Sequence, residues 1–309
     1  MKELIDMQLF MIASGDICSV EGWWHPEGKV VSNYIYVQHP QGDIKIEEQR
    51  YSKVIRKPDG SWRSFEEQIE FIRKMGKPFN PAFFIDHKMV VDRVNIKRFY
   101  DPFETFKRFV STFPSEFDRV NEFLKILGVK AGELEDIGMV GSYQLGIRKK
   151  NSDIDILFKF DLSKNMQIFQ RILRFSSNHK MKVYDRGKWT PLRFRFKDRI
   201  FCCHFAYKYH HEIPNFFSTE YETSETINCT VEVLDNTHSI YTPTIFIAKD
   251  IYKKDIFPVV IYHGGNKGEF CNGDIINVTG RFINNKFGKF LYTISIRKID
   301  VNHERCVNR

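Results

Sequence analysis

Two aspartates separated by one isoleucine lie near the middle of the chain, in the stretch GMVGSYQLGIRKKNSDIDILFKF from Gly138 to Phe160. On a β-strand, residues i and i+2 point to the same face, so Asp153 and Asp155 would present their carboxylates together. Such carboxylates repel each other unless a cation lies between them, and Mg²⁺ prefers hard oxygen ligands. The spacing therefore indicates a metal site. The ordinary alternative is the solvent face of an edge strand.

A Gly-Ser pair precedes the aspartates, at a predicted turn from a strand into a short helix that begins at Ser142. Glycine allows the backbone to approach a ligand closely, and the N–H groups at the start of a helix favour a phosphate. Lys149 and Lys150 fall just before the second strand, where they could contact phosphate oxygens. With Gly141 and Ser142 they predict a site for a nucleoside triphosphate.

The motif MVGSYQLGIRKKNSDIDILF resembles that of the nucleotidyltransferase superfamily typified by DNA polymerase β and the minimal nucleotidyltransferases. The resemblance implies an enzyme that uses Mg²⁺, or Mn²⁺, to transfer a nucleoside monophosphate from an NTP to a hydroxyl by a two-metal mechanism, with pyrophosphate leaving. Gly141 and Ser142 match the phosphate-contacting pair, and Asp153 and Asp155 match the first two metal-binding acids. The implied acceptor is a nucleic-acid end, RNA or DNA, or a protein side chain.

The similarity extends to the order of segments found in predicted nucleotidyltransferases, mainly archaeal. Besides the central motif, the segments that carry it are GDICSVEGWWHPEGKVVSNYIYV, STEYETSETINCTVEVLDNTHSIYTPTIF and GEFCNGDIINVTGRF.

A third carboxylate usually completes such a site, and here the chain departs from the family. The strand expected to carry it, RIFCCHFAYK, contains no acid, and Cys203 or His204 stands in its place. Asp198, at the start of that strand, is our predicted third catalytic acid. The departure leaves open a non-catalytic nucleic-acid-binding protein on a degenerate core. A protein-modifying partner in a toxin–antitoxin pair is a third class.

Cysteine and histidine chemistry is the weaker interpretation. Cys202, Cys203 and His204 with the pair His210-His211 invite a zinc site, but neighbours on a strand point to opposite faces and no ligand spacing is typical of zinc. Nothing in the sequence would lower a cysteine pKa for nucleophilic attack. Core cysteines and exposed histidines are the expected outcome.

The elements that would position these residues predict an α+β multidomain protein. Residues 1–99 are expected to form an N-terminal β-rich module with one helix, whose N-terminus carries a capping box of Ser64 and Glu67. Residues 100–215 are expected to form a polymerase-β-like α/β core, with helices starting near Asp101, Ser115 and Ser163. Residues 216–309 hold five strand candidates with Gly-rich turns, which predict an OB-like β-barrel.

The 309-residue chain carries a net charge of +8, which favours polyanionic partners. LRFRFKDRIFCCHFAYKY alternates basic and aromatic residues, like one half-buried strand with a cationic face. The candidate nucleic-acid contacts in this region are Lys188, Arg193, Arg195, Lys197 and Arg199; the alternative is a solvated strand face. Trp23, Trp24, Tyr34 and Tyr36 could stack on bases, although alternating spacing is more typical of a core.

Composition also bears on location. Six scattered cysteines predict reduced thiols in the cytoplasm. The acidic residues near the N-terminus argue against a signal peptide. The sequence contains no run of about 18 apolar residues, so no membrane span is expected.

Overall fold

The chain forms two compact units in a computed structural model that describes residues 3–147, 152–185 and 188–300. The N-terminal unit comprises Met1–Thr105 and Val140–Lys150, and the C-terminal unit comprises Phe106–Met139 and Asn151–Arg309. No helix in the described part of the chain is long and apolar enough to cross a membrane. The predicted boundaries after residues 99 and 215 differ from this division.

The N-terminal unit is built on an eight-stranded sheet in the order β4-β5-β3-β2-β1-β8, with β7 pairing β3 and β6. Its strands are β1 (Leu9–Ile12), β2 (Ile17–Val20), β3 (Lys29–Gln38), β4 (Ile44–Ile46), β5 (Gln49–Lys53), β6 (Pro81–Ala82), β7 (Ile85–Asp92) and β8 (Ile96–Phe99). Tyr34 and Tyr36 are 2% and 3% exposed, which supports the core interpretation of these aromatics.

Helix α1 (Phe65–Lys74) confirms the predicted capping box. The Ser64 hydroxyl accepts from the Glu67 N–H at 3.2 Å, and the Glu67 carboxylate accepts from the Ser64 N–H at 2.8 Å. Helix α2 (Pro102–Thr112) begins as predicted, because the Asp101 carboxylate accepts from the Phe103 N–H at 2.9 Å.

The C-terminal unit contains a five-stranded sheet in the order β11-β12-β13-β10-β9. Its strands are β9 (Ile137–Met139), β10 (Ile154–Phe158), β11 (Lys182–Asp185), β12 (Lys188–Phe196) and β13 (Arg199–Phe205). Strand β10 runs parallel to β13 and antiparallel to β9. The prediction of one cationic strand in this region is wrong, because the chain reverses at Lys197-Asp198, and Lys197 has φ +53°.

One face of this sheet is covered by helices α3 (Pro114–Ile126) and α4 (Leu162–Ser176). The Phe123 ring of α3 lies 5.4, 5.6 and 4.9 Å from the rings of Phe194, Phe196 and Phe201. Two predicted helix starts need correction: α3 begins at Pro114 rather than Ser115, and Asp161 rather than Ser163 caps α4. The aromatic layer fixes which sheet face is buried.

The predicted five-stranded barrel is confirmed as a closed barrel in the order β14-β15-β16-β18-β17. Its strands are β14 (Glu222–Asp235), β15 (Thr244–Asp250), β16 (Ile256–Ile261), β17 (Ile275–Asn285) and β18 (Gly288–Asp300). β16 and β18 are parallel, and β14 closes against β17.

Sheet and barrel belong to the same unit and share a buried contact. The side-chain amide of Asn165 on α4 donates to the Tyr241 hydroxyl at 3.0 Å, and the Tyr207 and Tyr241 rings stack at 3.8 Å.

Candidate functional site

The face of the five-stranded sheet opposite α3 and α4 carries the paired aspartates. Ile154 and Ile156 are fully buried, whereas the side chains of Asp153 and Asp155 are 27% and 21% exposed. The alternation expected from the D-x-D spacing is therefore present, with both carboxylates on the same polar face.

Asp153 is paired with an arginine from the same sheet. The Arg193 guanidinium on β12 donates to Asp153 Oδ2 at 2.9 Å, and the Cys202 thiol donates to the same oxygen at 3.8 Å. In the strand register, Cys202 lies between Arg193 on one side and Asp155 on the other. A guanidinium thus balances the charge of one of the two carboxylates.

Asp155 faces an imidazole. Asp155 Oδ1 lies 3.8 Å from His204 Nε2 on β13, which is beyond hydrogen-bonding distance. On its other side, His204 Nδ1 lies 3.4 Å from the ammonium of Lys267, a residue of the barrel. An ammonium can only donate, so Nδ1 is the acceptor in this contact.

No third carboxylate lies beside the pair on β13, the strand expected to carry one. Cys202 and His204 occupy the polar face of β13. In the described parts of the chain, no group of three or more His, Cys, Asp or Glu side chains could hold a metal ion. Asp198 lies in the turn between β12 and β13, 69% exposed and 3.1 Å from Arg119. Its role as third acid stays a prediction.

The cysteines of β13 are poorly suited to nucleophilic chemistry. Burial, with the charges of Asp155 and Asp153, raises the pKa of Cys202 well above its ordinary value. Burial and Asp155 do the same to the pKa of Cys203. Cys202 is half-buried and Cys203 buried on the opposite face, as strand alternation requires. Among the other cysteines, Cys18 and Cys229 are free thiols, but Cys271 is disulfide-bonded, so reduced thiols throughout were wrongly expected.

The Gly-Ser turn belongs to the N-terminal unit. Gly141 has φ +66°, a conformation that favours glycine, and opens a five-residue 3₁₀ turn, Gly141–Leu145, in place of the predicted short α-helix. The side chain of Gln144 anchors the turn on β1, because it accepts from the Leu9 N–H and donates to the Met7 carbonyl, both at 3.0 Å. Lys149 and Lys150 lie outside the described residues.

Most of the predicted nucleic-acid contacts are engaged in ion pairs within the C-terminal unit. Besides Arg193 with Asp153, the pairs are Lys188 with Glu269 at 2.5 Å, Lys197 with Glu122, and Arg199 with Glu116 at 3.0 Å. Arg195 is exposed. Nearby carboxylates balance most of this positive charge, which weakens the case that β12 and β13 bind a nucleic-acid backbone along their length.

Two features of the site escaped sequence reasoning. The sequence assigns Arg193 to nucleic acid rather than to Asp153, and it gives no signal for Lys267. Both contacts join residues distant in sequence, so only the strand register and the position of the barrel reveal them. No protein-family model, no curated protein and no solved structure matches this chain.

Proposed function

We propose that the chain is a Mg²⁺-dependent nucleotidyltransferase that transfers a nucleoside monophosphate from an NTP to a hydroxyl acceptor. The observation that carries the proposal is the position of Asp153 and Asp155. The two partly exposed carboxylates lie on one face of a sheet whose other face is packed beneath α3 and α4. The buried aromatic layer positions the pair, and each carboxylate keeps part of its surface exposed.

The donor set fits one divalent ion. Mg²⁺ is commonly bound by one or two carboxylates together with substrate phosphates and water. Asp153 and Asp155, each roughly a quarter exposed, would supply the protein oxygens. The ion, when bound, would offset the negative charge of the triphosphate. Mn²⁺ takes the same oxygen ligands. A second ion would need a further carboxylate, for which Asp198 is the candidate.

The nucleotide-binding part of the proposal is supported by the chain order. Gly141 and Ser142 follow β9 directly, and β9 pairs with β10, the strand of Asp155. Gly141 adopts the positive φ that such a turn needs. Gly141, Ser142, Lys149 and Lys150 are the proposed contacts to the triphosphate.

A specific observation favours a second candidate, a non-catalytic nucleic-acid-binding protein. Arg193 pairs with Asp153, and Cys202 and His204, rather than a carboxylate, occupy the face of β13 beside the two aspartates. A barrel with strand order β14-β15-β16-β18-β17, and with its third and fifth strands parallel, has the topology of OB-folds. OB-folds often bind oligonucleotides.

Incorporation of labelled nucleotide separates the two candidates. Purified protein is incubated with each α-labelled NTP, Mg²⁺ or Mn²⁺, and single-stranded RNA, single-stranded DNA or protein as acceptor. We expect transfer with release of pyrophosphate, reduced by about a hundredfold or more in Asp153→Asn and Asp155→Asn, because metal stabilisation of the reacting phosphate is lost.

Asp43→Asn, which changes an exposed carboxylate of the N-terminal unit, is the matched control and should leave transfer unchanged. Asp198→Asn tests the third acid. Transfer that survives in Asp153→Asn would refute the proposal. Nucleic-acid binding without transfer, unaffected by both substitutions, would establish the second candidate.

A further inference from the structure

A groove on the barrel has the chemistry of a binding site. It has a volume of about 580 Å³ and lies between β14, β17 and the turn that follows β15. Sites for small ligands and single nucleotides usually enclose roughly 300–1,000 Å³. The groove contains none of the residues assigned above to the nucleotide or the metal.

The floor of the groove is formed by asparagine–threonine pairs on the neighbouring strands β14 and β17. Asn228 lies opposite Thr279, and Thr230 lies opposite Asn277. Each threonine hydroxyl donates to the amide oxygen of its asparagine, Thr279 to Asn228 at 2.5 Å and Thr230 to Asn277 at 2.7 Å. The described part of the chain leaves the amide NH₂ groups of both asparagines available as donors.

The rim of the groove holds an aromatic ring on a fixed turn. The Asp250 carboxylate accepts from the N–H groups of Tyr252 and Lys253 at 2.8 and 2.9 Å. The Ile251 N–H also donates to the Thr230 carbonyl at 3.0 Å, which ties the turn to the floor. Tyr252 is nevertheless 78% exposed. Because the backbone that carries this exposed ring is already ordered, only the side chain has to be immobilised when a ligand stacks on it.

We propose that this groove binds single-stranded nucleic acid, with a base stacked on Tyr252. The Asp250 carboxylate of the lining offsets the charge of Lys253 and already accepts from the N–H groups of the turn. The two amide NH₂ groups and the exposed Lys253 ammonium remain as donors, which suit the oxygen acceptors of a nucleotide's phosphate and sugar. A base face stacks on tyrosine regardless of sequence. The net charge of +8 favours the same polyanion.

The inference depends on the proposed function only for the role that it gives to the bound nucleic acid. That the groove binds single-stranded nucleic acid does not depend on the transferase activity. For a transferase, it would hold the body of a single-stranded acceptor. The predicted stripe of basic residues on β12 and β13 is then not needed to retain the nucleic acid.

Fluorescence anisotropy tests the groove directly. The intact protein is titrated, in EDTA and without NTP, into fluorescein-labelled RNA and DNA single strands of about 16 nucleotides, a length that one barrel can accommodate. We expect Tyr252→Ala to weaken binding about tenfold or more, and Tyr252→Phe to restore it. Lys253→Gln should lower the slope of log affinity against log salt by about 0.7.

The matched controls lie on the same barrel. Phe287, 46% exposed, and Lys286 occupy the turn between β17 and β18, so Phe287→Ala and Lys286→Gln remove similar groups outside the groove. They should bind like the parent protein. Thermal unfolding of each variant verifies that it is folded.

The proposal is overturned if the parent protein binds neither strand at low salt, if Tyr252→Ala binds unchanged, or if the controls alone lose affinity. Preference for RNA or for DNA identifies the strand and supports it in either case. Because the assay contains no metal or NTP, normal binding without nucleotide transfer would count against the transferase only.

Discussion

Arg193 should compete with a divalent ion for Asp153. Its guanidinium donates to Asp153 Oδ2 at 2.9 Å, so a metal that uses this carboxylate must either share it with a positive charge or displace that charge. We therefore expect Arg193→Gln to bind Mn²⁺ more tightly than the parent protein in the absence of nucleotide. Glutamine retains the polarity of the position but removes the charge.

The size of the effect follows from the exposure of the pair. A hydrogen bond to a charged group contributes roughly 1.5–3 kcal/mol, whereas an exposed ion pair contributes at most about 1 kcal/mol. The side chains of Arg193 and Asp153 are 23% and 27% exposed, which places the pair between these limits. About 1–2 kcal/mol corresponds to roughly 5- to 30-fold tighter binding.

Electron paramagnetic resonance of free Mn²⁺ measures this affinity without any turnover. Arg195→Gln is the matched control. Arg195 is an exposed arginine on the same strand, and its substitution removes the same charge. Asp153→Asn should lose the binding. Equal or weaker Mn²⁺ affinity in Arg193→Gln, while Asp153→Asn still loses the binding, would show that Arg193 does not compete with the ion for Asp153, and would refute the prediction.

Two further predictions concern stability. Phe123→Ala should lower the free energy of unfolding by about 3–5 kcal/mol, measured in urea, because its fully buried ring contacts three aromatic rings of the sheet; a loss below about 1 kcal/mol would contradict that packing. Burial lowers the pKa of His25 to about 4 in the folded protein, whereas its ordinary value is 6.5. Between these two pH values the histidine is protonated in the unfolded chain but neutral in the folded one. Stability is therefore complete above pH 6.5 and falls toward pH 4, and this fall should be shallower in His25→Gln; identical pH profiles would contradict it.

Local chemistry made much of the fold predictable. Ser64 and Glu67 form their capping box, and Asp101 caps α2, because these contacts join residues within three positions. The alternation of Asp153 and Asp155 with buried isoleucines likewise depends only on strand geometry. The five barrel strands were recognisable by composition and turns.

Contacts set by the tertiary structure were not predictable. Lys197-Asp198 lacks the glycine or asparagine typical of a two-residue turn, so the sequence gives no signal for the hairpin and predicts one strand. The attachment of the Gly-Ser turn to the N-terminal unit depends on Gln144 bonding to Met7 and Leu9, more than 130 positions away. Neither hydrophobic periodicity nor capping contains this information.

The charges around the aspartates are difficult to explain by stability alone. A solvated strand face could carry threonine at both positions, since β-branched residues suit such a surface. Instead, Asp153 has a guanidinium from β12, and Asp155 faces an imidazole held by a lysine of the barrel. Partly buried ion pairs add little net stability, because desolvation offsets much of the attraction. Asp155 lacks even a direct hydrogen bond to His204, at 3.8 Å. A carboxylate kept beside an imidazole to which it does not hydrogen-bond is better suited to binding a ligand than to holding the sheet together.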